Sequence, residues 1–460
     1  MRICGIDIGT TNTKAVVLDD SGRLIARETF PLGPAARVDR PAAEVWRRQF
    51  EAPIRHFHDR GLLAGHKVVC GISTQGGSFV PLDGRFAPLD RGFSWTALAD
   101  EQIVAELSER FGKVSFYRAT GWEPMPWLMI AKVRQWVREK PEDVRRLRCV
   151  AAVPELITAS LAGRPVGDTT NAQICGMFDF HKGDWADALV GWAGLERSHL
   201  AEVRPSIEVM LEDVTVAGVK LTLAGSCHDQ YASMIACGLE EAGTVNVVGG
   251  TAWVVNGESA EPIYDDARFT MHPGRSVRPG RFGYIASLGA VGRGYERLLE
   301  RLGLTGEQVE RMAWADFWPP EGPIRADLLA GTVDGRGPSA ALRFMEVAAA
   351  QVRDRLETIA AATPVRRIVM TGGAAGGRHC PGILASMCGL EVEAVQFPEL
   401  AAFGAALVAG WAVSGQAPQR CWPAEAAVQV HRPDDRRRAQ YDDWYRYYHV
   451  TGNVDREGRT

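Results

Sequence analysis

The chain states one structural plan twice, and this repetition narrows its fold more than any other feature. "RICGIDIG" alternates as a strand, turns at "TTN", returns as "TKAVVLDD" and continues into "GRLIARETF". "PAAEVWRRQFEAPIRHFHDRG" then predicts a helix with Val45, Phe50, Ile54 and Phe57 on one stripe, and "HKVVCGIS" is a strand entering the glycine loop "TQGGS". In the second half, "GTVNVVGGTAWVVNG" is again a hairpin with a Gly-Thr tip. A long helix, "SAALRFMEVAAAQVRDRLETIAAA", and a strand entering glycines, "VRRIVMTGGAAGG", follow in the same order. The simplest architecture is α/β, two domains of like design facing a central cleft, split at residues 1–220 and 221–460.

Length agrees, because 460 residues at roughly 150 per domain give two or three units. Residues 95–220 carry mostly helical signals, as in "LMIAKVRQWVREKP", and elaborate the first domain. The last stretch, 433–460, predicts a closing helix and a polar tail, with Arg436, Arg437 and Arg438 on a solvated face. Acidic and basic residues are interspersed around a net charge of −4, which leaves no basic footprint for nucleic acid and no polybasic face for a membrane. No run approaches the ~18 apolar residues of a membrane span, and the opening residues are strand rather than signal peptide, so the expected setting is cytoplasmic. The nine cysteines have no C-x-x-C spacing and mostly sit in apolar runs, which predicts small buried hydrophobes.

Gly-Thr tips suit a polyanion, since only glycine lets backbone N–H groups approach without a Cβ in the way. "DIGTTNTK" offers Gly9, the hydroxyls of Thr10, Thr11 and Thr13, Asn12 and the Lys14 cation, with Asp7 before the turn as a Mg²⁺ holder. A plain polar hairpin is the alternative, and neither the Walker nor the dinucleotide pattern is present. Gly250 and Thr251 form the second tip. "LAGSCHDQY" sets Cys227, His228 and Asp229 side by side, open to three roles: triad, metal pair or single working residue. Consecutive side chains diverge, which disfavours the triad. Asp229 also stands where it could cap the helix "QYASMIACGL".

On these motifs the chain resembles the FGGY family of carbohydrate kinases, within the sugar kinase, Hsp70 and actin superfamily. "GIDIGTTNTKAVVLD" and "VVGGTAWVV" are similar to the family's two phosphate segments, and "RIVMTGGAAGGRHCPGILASMCGLEVEAV" to its adenosine segment. "AKVRQWVREKPE", "LAGRPVGDTTNAQICGMFD" and "ELAAFGAALVAG" resemble its connecting pieces in the same order. The resemblance implies two actin-like, ribonuclease H-like domains, with sugar on the N-terminal side and nucleotide on the C-terminal side. It further implies ATP-dependent phosphorylation of a sugar, ketose or polyol hydroxyl, xylulokinase-like in one version, with ATP and Mg²⁺ as cofactors.

Residue by residue, the resemblance makes Asp229 the base that accepts the hydroxyl proton and Gln230 its substrate-side neighbour. Thr251 meets the terminal phosphates, while Gly289, Gly372, Gly373 and Gly377 border the nucleotide. Trp127 falls beside substrate. The departures lie on the sugar side. Relatives carry a Met-His or Arg-Glu pair where this chain has Gly76 and Gly77, leaving Gln75 and Ser78 as the nearest polar side chains. W-x-D-x-R becomes "WTALADEQ", keeping Trp95 but placing Ala97 and Ala99 at the charged positions. An altered, roomier sugar site is expected. A catalytically weak nucleotide and sugar sensor is the alternative, and an Hsp70-like or actin-like assembly ATPase a third. A homodimer is the expected assembly.

Overall fold

The computed structural model describes residues 1–238, 243–418 and 422–451. It divides into unit 1 (Met1–Gly238, Glu258–Tyr284, Glu399–Ala424) and unit 2 (Leu239–Gly257, Ile285–Pro398, Glu425–Thr460).

Unit 1 opens with the predicted meander, β1 (Arg2–Ile8), β2 (Asn12–Asp19) and β3 (Leu24–Pro31). Helix α1 (Ala43–Asp59) follows, then β4 (Val68–Thr74). The buried stripe of α1 is Trp46, Phe50, Ile54 and Phe57, at helical intervals of three and four. Val45 is half-buried, and Trp46 takes the place expected for it. Helix α2 (Met129–Glu139) lies among the predicted helices of residues 95–220. That region also supplies β5 (Val209–Val216), which pairs with β6 (Val219–His228); α3 (Asp229–Ala236) follows directly.

The six strands lie in the order β5-β6-β4-β1-β2-β3. β1 and β4 are parallel, with Asp7 level with Ser73, and β4 and β6 are parallel, with Cys227 level with Ser73 and His228 level with Thr74. Three parallel strands therefore end together, and the carboxyl ends of such strands are where open α/β sheets bind ligands. The expected boundary at residue 220 is corrected here. β6 crosses that point as a hydrogen-bonded neighbour of β4, so unit 1 runs on to Gly238.

Unit 2 repeats the plan with β7 (Thr244–Gly249), β8 (Trp253–Ser259) and β9 (Phe282–Gly289), then α4 (Gly337–Ala360) and β10 (Arg367–Thr371). β7 is antiparallel to β8 and parallel to β10, the same relation that β1 has to β2 and β4. β11 (Glu391–Gln396) and β12 (Ala427–His431) extend the sheet beyond β10.

Between β11 and β12 the chain returns to unit 1 as α5 (Leu400–Ser414). Its small residues press directly on β1, β4 and α3. A Cβ at Gly5 would stand 1.9 Å from the Ala402 carbonyl, one at Gly71 2.2 Å from that of Ala405, and one at Gly404 1.9 Å from that of Ala232. These glycines permit backbone-to-backbone approach.

The closing helix, Asp435–Thr451, forms as expected, and residues 452–460 of the predicted polar tail lie outside the described residues. Its arginine run is not a uniform solvated face, for Arg437 is buried. Arg437 donates to the Trp314 carbonyl at 2.5 Å and to that of Phe317, with its guanidinium 4.1 Å over the Trp314 ring. Planar stacking and a fork of donors suit an arginine to this position. The described cysteines are free thiols, buried except for half-buried Cys388; Cys421 lies outside the described residues.

Candidate active site

At the β1–β2 tip, Gly9 is forced, since a Cβ there would lie 2.7 Å from the Asn12 carbonyl. Gln49 of α1 donates to the Gly9 carbonyl at 2.9 Å. Thr10 donates to Gln75 Oε1 at 2.7 Å and accepts from the Trp95 indole at 3.0 Å. The Thr11 carbonyl accepts from Leu32 N–H at 3.0 Å. The tip, the end of β4 and the Trp95 loop are thus tied together. Asp7 accepts from Ser73 Oγ at 3.0 Å, and Lys14 is its cross-strand partner in the register. Burial pushes the Asp7 carboxyl up to about 7; the negative charge of Asp229 adds to this, while Lys14 and Ser73 oppose it.

Asp229 is the first residue of α3, and the capping position belongs to His228, so the expected cap is corrected by one residue. Burial raises the Asp229 carboxyl to about 6, opposed by hydrogen bonds from the backbone and side chain of Gln230. Its side chain nonetheless keeps 34% of its surface exposed. His228 Nε2 stands 3.2 Å from Asp229 Oδ1, but burial lowers His228 to about 4, so the ring is neutral at pH 7 and this is no ion pair. Cys227 is fully buried, and its thiol is held well above the usual range by that burial. It is therefore protonated, and no thiolate nucleophile exists here. Among the described residues no group of three His, Cys, Asp or Glu could hold a metal ion. Of the three adjacent residues, Asp229 is the one that is ionised at neutral pH.

The sugar-side expectations meet one clear correction. Gly76 does not offer room: a Cβ there would lie 2.8 Å from His228 Cδ2 and 3.0 Å from Ile174. At Gly77, φ +75°, a Cβ would come into van der Waals contact with Trp127 and Trp95, 3.8 Å from each. Ser78 Oγ accepts from Trp95 N–H at 3.0 Å. Trp127 meets Trp122 edge to face at 4.9 Å, and Trp122 stacks on His272 at 4.1 Å. The side chains absent at the glycines are replaced by neighbours from other elements.

Several residues here escaped prediction. Lys132 of α2 is buried and donates to the carbonyls of Gly77 at 2.8 Å and Ser94 at 2.9 Å, gripping both loops; burial lowers it to about 7. Asp168 is buried and accepts from Thr170, Asn171, Ser206 and Ser226. The one local signal was "GDTTN", a motif in which Asp caps the following turn.

In unit 2 the second tip is packed as tightly. A Cβ at Gly292 would meet the Gly250 carbonyl at 2.0 Å, and Arg293 N–H donates to the Thr251 carbonyl at 3.2 Å. Gly372 has φ +84°, and a Cβ there would lie 2.8 Å from the Gly249 backbone, so the hairpin tip and the β10 loop pack closely. Gly373 has open space on its Cβ side, which leaves that stretch of backbone approachable. Gly289, at φ +78°, donates its N–H to Ser287 Oγ at 3.1 Å. Gly377 lies beside Glu310, whose carboxylate accepts from Arg378 N–H at 3.0 Å.

The N-terminal domain of the FGGY family of carbohydrate kinases matches residues 2–235, and the family's C-terminal domain matches residues 323–413. The chain belongs to the FGGY family of carbohydrate kinases. Among curated relatives, a glycerol kinase from Trichlorobacter lovleyi is 26% identical, covering 92% of this chain and 93% of its own. A glycerol kinase from Saccharopolyspora erythraea is 24% identical, covering 96% and 97%. The xylulose kinase from Rhodospirillum rubrum shares the fold at TM-score 0.88 and 21% identity, with 99% of both chains covered. Plasmodium falciparum glycerol kinase, solved with ADP, superposes at 0.82 and 15% identity over 98% of each chain. This FGGY kinase thus has the actin-like two-domain α/β fold. Among its described residues no helix is long and apolar enough to cross a membrane.

Proposed function

We propose that this carbohydrate kinase transfers the γ-phosphoryl group of ATP to a hydroxyl of a sugar, ketose or polyol, with Asp229 as the base. The hydroxyl oxygen forms the new P–O bond, the bond to the β-phosphate oxygen breaks, ADP departs, and the hydroxyl proton ends on Asp229. The observation that carries this reading is the Asp229 carboxyl at the start of α3, directly after β6, raised to about 6: ionised at neutral pH, yet more basic than an ordinary aspartate.

Gln75, Gly76, Gly77, Ser78, Trp95, Trp127 and Gln230 form the proposed sugar side. The residues proposed to contact nucleotide are Gly9, Thr10, Thr11, Asn12 and Lys14 on unit 1 and, separately, Gly250, Thr251, Gly289, Gly372, Gly373 and Gly377 on unit 2. Asp7 fits Mg²⁺, because a carboxyl pushed up first by burial and then by the Asp229 carboxylate is relieved by a cation. Mg²⁺ commonly takes one or two carboxylates with phosphates and water, so a protein cage of three ligands is not required. Bound there, the ion would neutralise phosphate charge. The setting proposed is cytoplasmic, with a homodimer as assembly, which gel filtration checks.

Asp229→Asn is expected to lower turnover by about three orders of magnitude or more with ATP affinity little changed. Turnover is read as sugar phosphate formed from a panel of pentuloses, hexuloses, polyols and aldonic acids. Retained turnover in the variant removes Asp229 as base. Nucleotide binding by the native protein without product from any sugar turns the reading toward a sensor.

A further inference from the structure

We infer that Asp168 is a positioning residue that sets the base loop and the substrate loop in register; the inference rests on the proposed role of Asp229. Asp168 is fully buried. Its Oδ1 accepts from Thr170 N at 2.9 Å, Thr170 Oγ1 at 2.6 Å, Asn171 N at 3.0 Å and Ser206 Oγ at 3.3 Å. Its Oδ2 accepts from Asn171 Nδ2 and Ser226 Oγ, both at 2.7 Å. The two backbone bonds are ordinary capping. The four side-chain bonds exceed what a cap requires, and two of them relay a direction.

A threonine hydroxyl has one proton. With that proton committed to Asp168, a lone pair of Thr170 Oγ1 is left for the N–H of His228, 2.9 Å away and one residue ahead of Asp229. An asparagine amide held by its Nδ2 cannot flip, so Asn171 Oδ1 is left as the acceptor for Thr74 Oγ1 at 2.9 Å, one residue ahead of Gln75. His228 and Thr74 are level with each other on β6 and β4. One carboxylate therefore fixes, through two neighbours, the last residue before the base and the last residue before the sugar loop. A misplacement of about 1 Å at a reacting group costs on the order of a hundredfold in rate, so a relay of this kind has kinetic leverage.

The test uses volume-conserving changes in the full-length enzyme, with Asp229→Asn in parallel. Thr170→Val is expected to lower kcat about tenfold with the sugar KM within about twofold, and Thr74→Val to raise the sugar KM about fivefold with kcat largely kept. Thr170→Ser and Thr74→Ser, which keep the hydroxyls, are expected to restore native values. Melting temperature and circular dichroism establish that each variant is folded. If Thr170→Val does not fold, Thr170→Ala reads the same comparison. Native kcat and KM in both hydroxyl-lacking variants, with only the melting temperature lowered, would overturn the inference; so would equal losses without the kcat–KM split. Retained turnover in Asp229→Asn fails the base assignment itself, whereas an inactive Asp229→Asn beside an unaffected Thr170→Val fails the Asp168 inference alone.

Discussion

Asp7 and Asp229 are both buried enough that their carboxyls rise, to about 7 and about 6, and each consequence has a definite sign. As the proposed base, Asp229 would have to be ionised, so kcat/KM is expected to fall about tenfold per pH unit below about 6, a limb that a pH–rate profile reads directly. For stability the direction reverses. Asp7 is ionised in the unfolded chain above about 4 but holds its proton in the folded one until about 7, so folding stability declines as pH rises through that window. Asp7→Asn is therefore expected to raise the melting temperature at pH 8, with the gain shrinking toward pH 4, while activity is lost. A variant equally stabilised at both pH values would contradict the burial of that charge. Asp7, Gly9, Thr10 and Asp229 were visible in the sequence because each sits in a short motif whose chemistry is local. Asp168 and Lys132 were not, because their importance lies in partners 38 to 58 positions away.

At the scale of elements, the glycine loop after β4 is shaped by pieces of chain far from it. α2 threads Lys132 under it, His228 at the end of β6 closes over Gly76, and Trp95 and Trp127 flank Gly77. Lys132→Met keeps the apolar stem of the side chain but leaves two loop carbonyls without their donor, an unmet need of about 1–3 kcal/mol each. The expected result is a lower melting temperature together with a sugar KM raised about tenfold, measured at a pH where ATP affinity serves as the internal control. A lowered melting temperature with native KM would show that α2 supports the fold without shaping the site. The hairpins, α1, α4 and the strands entering glycine loops follow from periodicity. Trp46 and Arg437 departed from expectation because burial is set by what packs opposite, as Trp314 does for Arg437.

The whole molecule is divided in space differently from its division along the chain. α5 comes from residues 400–414, yet it is the helix that lies on β1, β4 and α3, with Gly5, Gly71 and Gly404 making room for its backbone. A fragment of residues 1–238 would expose the sheet face that this helix covers. It is expected to aggregate or stay molten, whereas the same fragment joined through flexible linkers to residues 258–284 and 399–424 folds, as judged by cooperative thermal unfolding. Cooperative folding of 1–238 alone would contradict this account of unit 1.

The sequence by itself determined the repeated α/β plan, the two glycine tips and the ionisable group after β6, because alternation, helical spacing and the demands of a tight turn act over a few residues. Only the tertiary structure decided that His228 and Ile174 occupy the space beside Gly76, that Lys132 and Asp168 tie the loops together, and that α5 completes unit 1. Those depend on close packing and on the requirement that buried polar groups find partners, and both are met by residues that the chain brings together only when it is folded.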